Sequence, residues 1–204
     1  MGAVPKQHMP LILLGGASGS GKSYLAHRFG RPHVELDNFY REISENTADS
    51  PLPQTGYGEV DWDHSGTWNC DKAVDGLVEL LETGQTQVPN YSISTSSYDG
   101  THPVELADGP LVAEGIFVSE VLAPLRELGI DVQAFYIDVS ASQTALRRFV
   151  RDVKERRKPI GFLIKRGHAL FRADRQVRAR YLEAGFVPMK KKAVKAMLAD
   201  AAAF

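Results

Sequence analysis

Leu11-Ile12-Leu13-Leu14-Gly15-Gly16-Ala17-Ser18-Gly19-Ser20-Gly21-Lys22-Ser23 is the stretch that decides the fold. Four consecutive apolar residues closed by glycines read as a buried strand. Gly16 to Ser23 then satisfies G-x-x-x-x-G-K-[ST] in full. The glycines let the backbone curl and point several N–H groups at phosphate oxygens. A helix opening near Lys22 adds the positive end of its dipole. Gly16, Ala17, Ser18, Gly19, Ser20, Gly21, Lys22 and Ser23 are therefore the expected cradle for the phosphates of ATP. Lys22 would bridge the β- and γ-phosphates, and Ser23 would hold Mg²⁺ through its hydroxyl.

Outward from this loop, Lys22 to Phe29 reads as a helix stopped by Gly30 and Pro32. His33–Leu36 reads as a second short strand, and the polar, Gly- and Pro-rich residues 44–69 as a long loop. Asp71 is the expected cap of a helix running to about Glu82, with Gly84 as its stop. Residues 86–106 hold Val88, Tyr91, Ile93, Tyr98 and Asp99-Gly100, the marks of an irregular β-hairpin beside the main sheet. Leu111–Ala113 is another buried strand, ending at Glu114-Gly115. Ser119 is the expected cap of a helix to Leu128, with Pro124 an awkward member. Val132–Val139 is the clearest strand, rich in β-branched and aromatic residues. Ser140 caps the next long helix, and helical patterns fill 163–184 and 189–203. Strands alternating with helices imply an α/β fold, a parallel sheet covered on both faces. One P-loop domain over residues 1–204 is expected, with a small insertion at about 86–106.

Of the residues, 43% are hydrophobic and 9% aromatic, enough apolar material for a real core. The apolar run at 11–14 is far too short for a membrane span. A lone Cys70 forms no internal disulfide, which favours a reducing, cytoplasmic setting. The net charge of −1 hides an asymmetry: residues 1–146 carry 7 Lys/Arg against 20 Asp/Glu, and residues 147–204 carry 17 against 5. The basic charges fall within helix-like patterns mixed with apolar residues, so nucleic acid is not the expected main partner. Lys190-Lys191-Lys192, at the start of the last helix, reads as solvated.

A second residue on the Mg²⁺ side is expected at the end of a neighbouring strand. Glu114 is preferred over Asp138, because Gly115 would let a ligand approach closely. Asp37 follows a strand in the first crossover after the cradle, and ligands of open α/β sheets bind at the strands' carboxyl ends. It is placed to accept a proton from an attacking hydroxyl. It also reads equally well as a helix N-cap.

Further segments are distinctive: Asp37-Asn38-Phe39-Tyr40-Arg41, Asp61-Trp62-Asp63-His64, Val88-Pro89-Asn90-Tyr91, Glu114-Gly115-Ile116, and the arginine-rich run Arg147 to Arg156. With the phosphate loop they run in order over about residues 10–160. In them the chain resembles the uridine kinase and phosphoribulokinase-like family of P-loop nucleoside kinases. The resemblance implies that Asp37 is the catalytic base and Tyr40 part of the acceptor wall. It implies that Asp63 binds ribose hydroxyls and that Tyr91 lines the nucleoside pocket. It further implies a basic lid at about 152–165, in which Arg151, Arg156 and Lys158 close on the phosphates of ATP. Those basic residues read alternatively as a solvated face. Assembly into a homo-oligomer through the sheet edge or the hairpin is a further implication.

Two departures stand out. Ser96 occupies the place of the family's base-reading histidine, and Arg157-Lys158-Pro159 replaces its Gly-Arg. A hydroxyl still bonds a base edge, without ring or second nitrogen. Lys meets phosphate as a point charge, without the fork of Arg. The expected function is an ATP- and Mg²⁺-dependent kinase that phosphorylates the 5′-hydroxyl of uridine or cytidine. The alternatives are a kinase of the same family for another small alcohol (another nucleoside, pantothenate or a sugar phosphate), or an ATP-binding protein without catalysis.

Overall fold

The computed structural model describes residues 10–17, 19–140 and 176–203. Its centre is strand β1, Leu11–Gly15, buried along its whole length. An apolar strand hidden on both faces suits only a sheet covered on both sides. The side chains show this directly. Leu11 and Leu13 enter one core with Phe39, Trp68 and Leu77, while Ile12 and Leu14 enter a second with Leu25, Val194 and Leu198.

Four parallel strands flank β1: β2 (His33–Glu35), β5 (Val112–Glu114), β6 (Val132–Ile137) and β7 (Val187–Met189), in the order β2-β5-β1-β6-β7. Helix α1 (Lys22–Phe29) follows the glycine loop as the sequence requires. Helix α2 spans Cys70–Thr83, and the antiparallel hairpin of β3 (Gln85–Ser92) and β4 (Ser97–Glu105) forms a separate two-stranded sheet. Helix α3 covers Leu122–Glu127, α4 residues 176–183, and α5 Lys191–Ala201. No helix among the described residues is long and apolar enough to cross a membrane.

Several local expectations are corrected. The cap of α2 is Asn69, whose side chain accepts from the Lys72 N–H at 3.0 Å; Asp71 lies two positions further on, in the first turn. The second strand stops at Glu35, and Leu36–Phe39 winds into a 3₁₀ turn. Asp99-Gly100 lies inside β4, because the chain turns at 93–96, where Ser96 takes φ 49°. Helix α3 starts at Leu122 rather than after Ser119. That start puts Pro124 in the first turn, where a missing N–H costs nothing. β6 ends at Ile137, and β7 occupies residues that carried no strand expectation. β7 is three residues long, contains Pro188 and sits at the sheet edge, where proline is tolerated. The helix that Ser140 was expected to cap and most of the 163–184 helical pattern lie outside the described residues.

One packing contact ties the chain's C-terminal third to its first strand. Tyr181 of α4 is 2% exposed, and its ring lies flat against Gly15, where any Cβ would strike it. Gly15→Ala should therefore force a buried aromatic aside. Overpacking of this kind costs about 2 kcal/mol, or about 5 °C in Tm for a chain of this size. Gly56→Ala, where a Cβ meets nothing, should leave Tm unchanged. Equal melting of the two variants by calorimetry would contradict this packing.

Candidate active site

The site lies at the carboxyl ends of β1, β5 and β2, where the parallel sheet delivers three loops side by side. From β1 comes the phosphate loop. Gly21 adopts φ 96° as the N-cap of α1, a left-handed geometry that favours glycine. The next residue, Lys22, points its ammonium at Glu114 of β5, with Nζ 3.2 Å from Oε2; the side chains are 13% and 4% exposed. Ser23 also reaches the Glu114 carboxylate. His33, at the start of β2, brings Nε2 to 3.8 Å from Glu114 Oε1, longer than a hydrogen bond. Burial pushes the Glu114 carboxyl up. The His33 ring, the Lys22 charge and the Ser23 and Lys22 contacts outweigh it and hold the carboxyl below its ordinary value.

Asp37 stands on the 3₁₀ turn after β2. Its Oδ1 accepts the Ile116 N–H at 2.8 Å. Burial raises its carboxyl above the ordinary value, against the opposing pull of Lys22 and the Ile116 N–H. A Cβ on Gly115 would come within 2.8 Å of Asp37 Oδ1, so its bareness makes room for the aspartate of this chain. Tyr181 fastens the same loop from beneath, its hydroxyl 3.0 Å from the Ile116 carbonyl and 3.4 Å from that of Gly115. The 3₁₀ position also answers the N-cap alternative, since Asp37 lies within the turn and its side chain is spent on Ile116. Asp138, the rival of Glu114, pairs instead with Arg178 at 3.5 Å.

Beside Asp37 rises an aromatic wall. Tyr40 and Tyr91 stack at 5.3 Å between centroids, with Trp62 edge-on to Tyr40 at 5.9 Å and Phe117 at 5.8 Å. Asn38 docks the hairpin by accepting the Tyr91 N–H at 3.2 Å. Tyr98 donates to the Tyr40 carbonyl at 2.6 Å. Ser96 contacts the Tyr91 side chain, and its carbonyl accepts the Ile43 N–H at 2.8 Å. Asp63 is exposed, near enough to Tyr40 to help raise its hydroxyl's pKa after burial and Asp37. A cavity of about 360 Å³ opens between the β2 edge and the hairpin, lined by His33, Glu35, Asn38, Asn90, Tyr91 and His102. Within it His102 Nδ1 lies 2.7 Å from Asn90 Oδ1. Trp68 is a structural anchor, its Nε1 donating to the Leu36 carbonyl at 2.7 Å.

Lys22, Ser23, Glu114 and Asp37 thus converge, and Tyr40, Tyr91 and Ser96 lie together at the hairpin. Ser18, Arg151, Arg156, Lys158 and the 152–165 lid lie outside the described residues. Sequence reading passed over His33, Asn38, His102 and Tyr181. Only Asn38 carried a signal, as the neighbour of Asp37; the others act through contacts between residues 65 to 81 positions apart or across the hairpin. For Mg²⁺, the hydroxyl of Ser23 and the buried carboxylate of Glu114 are hard oxygen donors of the right kind. No cluster of three or more His, Cys, Asp or Glu suited to a metal exists among the described residues. Few protein ligands suit an ion that completes its shell with water and substrate phosphates.

The model of the phosphoribulokinase/uridine kinase family matches residues 11–164. A uridine kinase of Clostridium perfringens strain SM101 is 29% identical over 157 residues, covering 73% of this chain and 71% of that protein. One from Staphylococcus haemolyticus is 28% identical over 153 residues, covering 72% and 70%. In architecture the chain is similar to a putative fructose transport system kinase from Silicibacter sp. TM1040, with TM-score 0.61, 17% identity, and coverage of 87% and 88%. The chain belongs to the phosphoribulokinase/uridine kinase family and is an ATP-dependent phosphotransferase.

Proposed function

We propose that the chain transfers the γ-phosphoryl group of ATP to the 5′-hydroxyl of a nucleoside, with uridine or cytidine as acceptor. The observation that carries this reading is Asp37, a carboxylate raised by burial and held between the Lys22 cluster and the Tyr40–Tyr91 wall. A carboxylate whose pKa is raised is a better proton acceptor than an ordinary one. Lys22 would draw on the β- and γ-phosphates, and its charge opposes the rise that burial imposes on Asp37. Ser23 and Glu114 would hold Mg²⁺, which neutralises charge developing on the transferring phosphate. Arg151, Arg156 and Lys158 are assigned to the closing lid on sequence grounds. Tyr91 and Ser96 face the base, and Asp63 the ribose diol. The names of the curated relatives support a nucleoside acceptor.

A second reading rests on the cavity beside Tyr91. Two imidazoles, two amides and a carboxylate line it, a donor and acceptor set that suits a hydroxyl-rich alcohol as well as a base edge. With Ser96 in place of the histidine, another small alcohol is the competing acceptor. Competition among uridine, cytidine, their 2′-deoxy forms, purine ribosides, pantothenate and sugar phosphates decides between them. The nucleoside reading expects ribosides to be favoured over 2′-deoxyribosides by about tenfold, since a lost hydroxyl leaves a polar partner unpaired. Phosphorylation of another alcohol with no riboside turned over at millimolar concentration overturns it.

Asp37→Asn should lower turnover at least about 100-fold while sparing ATP binding, because the amide keeps the shape but accepts no proton. The same change should stabilise the fold. With its carboxyl raised in the folded state, Asp37 binds a proton more tightly there than in the unfolded chain. The folded state therefore carries a penalty above that raised value, relieved as pH falls through it. Asn removes the penalty, for about 1 kcal/mol at pH 7 and less in acid. A variant that loses ATP affinity, or melts lower at pH 7, would place Asp37 in a different role.

Turnover should fall on the acid side as a single group is protonated above the value of an ordinary aspartate, following Asp37. A pH–rate profile with its acid limb at the ordinary carboxylate value would contradict the assignment.

A further inference from the structure

Of the three lysines at the start of α5, Lys190 and Lys192 are exposed, as expected, but Lys191 is half-buried. Its side chain folds back over α1. The ammonium fills the space that a Cβ on Gly21 would occupy, and it stands 5.7 Å from the centroid of the Tyr24 ring. Gly21 immediately precedes Lys22 and caps α1, so this ammonium rests on the phosphate loop itself.

Its reach is fixed by packing. Val194 and Leu198 of α5 are fully buried in the core that also holds Leu25 and Ala26 of α1. The helix that carries Lys191 is therefore locked to the helix that begins at the loop. Among the described residues, two cations stand at the cradle, one on each flank. Lys22 turns toward Glu114 and Asp37, the acceptor side. Lys191 stands on the other flank, over Gly21 and the exposed Tyr24.

We infer that Lys191 is a second phosphate-binding cation of the donor site, contacting the nucleotide's phosphates on the flank away from Lys22. This rests on the reading of the loop as the ATP cradle. A triphosphate spreads its charge over several oxygens; apart from the lid cations assigned from sequence, Lys22 on the acceptor side would leave the far phosphates to the neutral N–H groups of the loop. An ammonium is a compact charge with three donors, able to follow a phosphate oxygen without fixed geometry. The Tyr24 face beneath it holds the cation near the loop. Because the far phosphates are common to ATP and ADP, the contact acts on both alike.

The test is calorimetric titration of the full chain with ADP and with a non-hydrolysable ATP analogue, each with Mg²⁺. Lys191→Gln should weaken both ligands together by about tenfold, the size of one charge-assisted contact. Lys191→Arg should recover most of that loss, and Lys190→Gln and Lys192→Gln should bind as the unaltered chain does. Wild-type affinity in Lys191→Gln overturns the inference. So does an equal loss in all three Gln variants, which would reflect only the general field of the basic helix. Melting curves exclude misfolding as the cause, and Lys191→Arg carries the decision if Lys191→Gln melts early. If the unaltered chain binds neither nucleotide, the reading of the cradle falls, and this inference with it.

Discussion

Two acidic side chains meet at the ends of β2 and β5, Glu114 buried and Asp37 half-buried, and the ammonium of Lys22 draws on both. Lys22 pairs with Glu114 at 3.2 Å and draws the pKa of Asp37 downward as well. Removing one partner from such a cluster leaves a buried charge uncompensated, a far larger penalty than the pair's own worth. Lys22 is thus a structural counter-ion before any nucleotide arrives. Its place follows from the sheet: in the order β2-β5-β1 the loop after β1 can meet the ends of β5 and β2 only at their carboxyl edge.

The two acids are pushed in opposite directions by their surroundings, the usual mark of divided roles. Glu114 sits among His33, Lys22 and Ser23, which hold its carboxyl below the ordinary value. Asp37 loses more to burial than it gains from Lys22 and the Ile116 N–H, and so is drawn toward proton exchange. Tyr181 is what holds this division in place. Its ring braces Gly15 at the root of the phosphate loop, and its hydroxyl braces the 115–116 loop that bonds Asp37. One side chain late in the sequence thereby sets the spacing between the glycine-rich loop and Asp37.

What the sequence discloses here is what is local. The cradle is a spaced pattern of eight residues, and the helix after it was legible to the residue. Asp37 and Glu114 were legible because strand ends in a parallel sheet share one edge. The misses were of two physical kinds. Some were local competitions: Asn69 over Asp71 as cap, a 3₁₀ turn in place of the fourth strand residue, Pro124 moved to a first turn. The others depend on contacts across the chain. Nothing near Gly115 in sequence says that Asp37 will fill the space beside it, and nothing near Lys191 says that it will reach Gly21. A three-residue edge strand such as β7 gains its identity only by pairing with β6.

The central claim is that this cluster delivers the γ-phosphoryl group to an alcohol and not to water. The most direct measurement is a single-turnover reaction with γ-labelled ATP, Mg²⁺ and the chain in excess, with and without a mixed pool of nucleosides and small alcohols, with every labelled product resolved. The account predicts label on one alcohol oxygen, with little inorganic phosphate and little ATP consumed when the pool is withheld. Release of labelled inorganic phosphate at the same rate with and without the pool would contradict it.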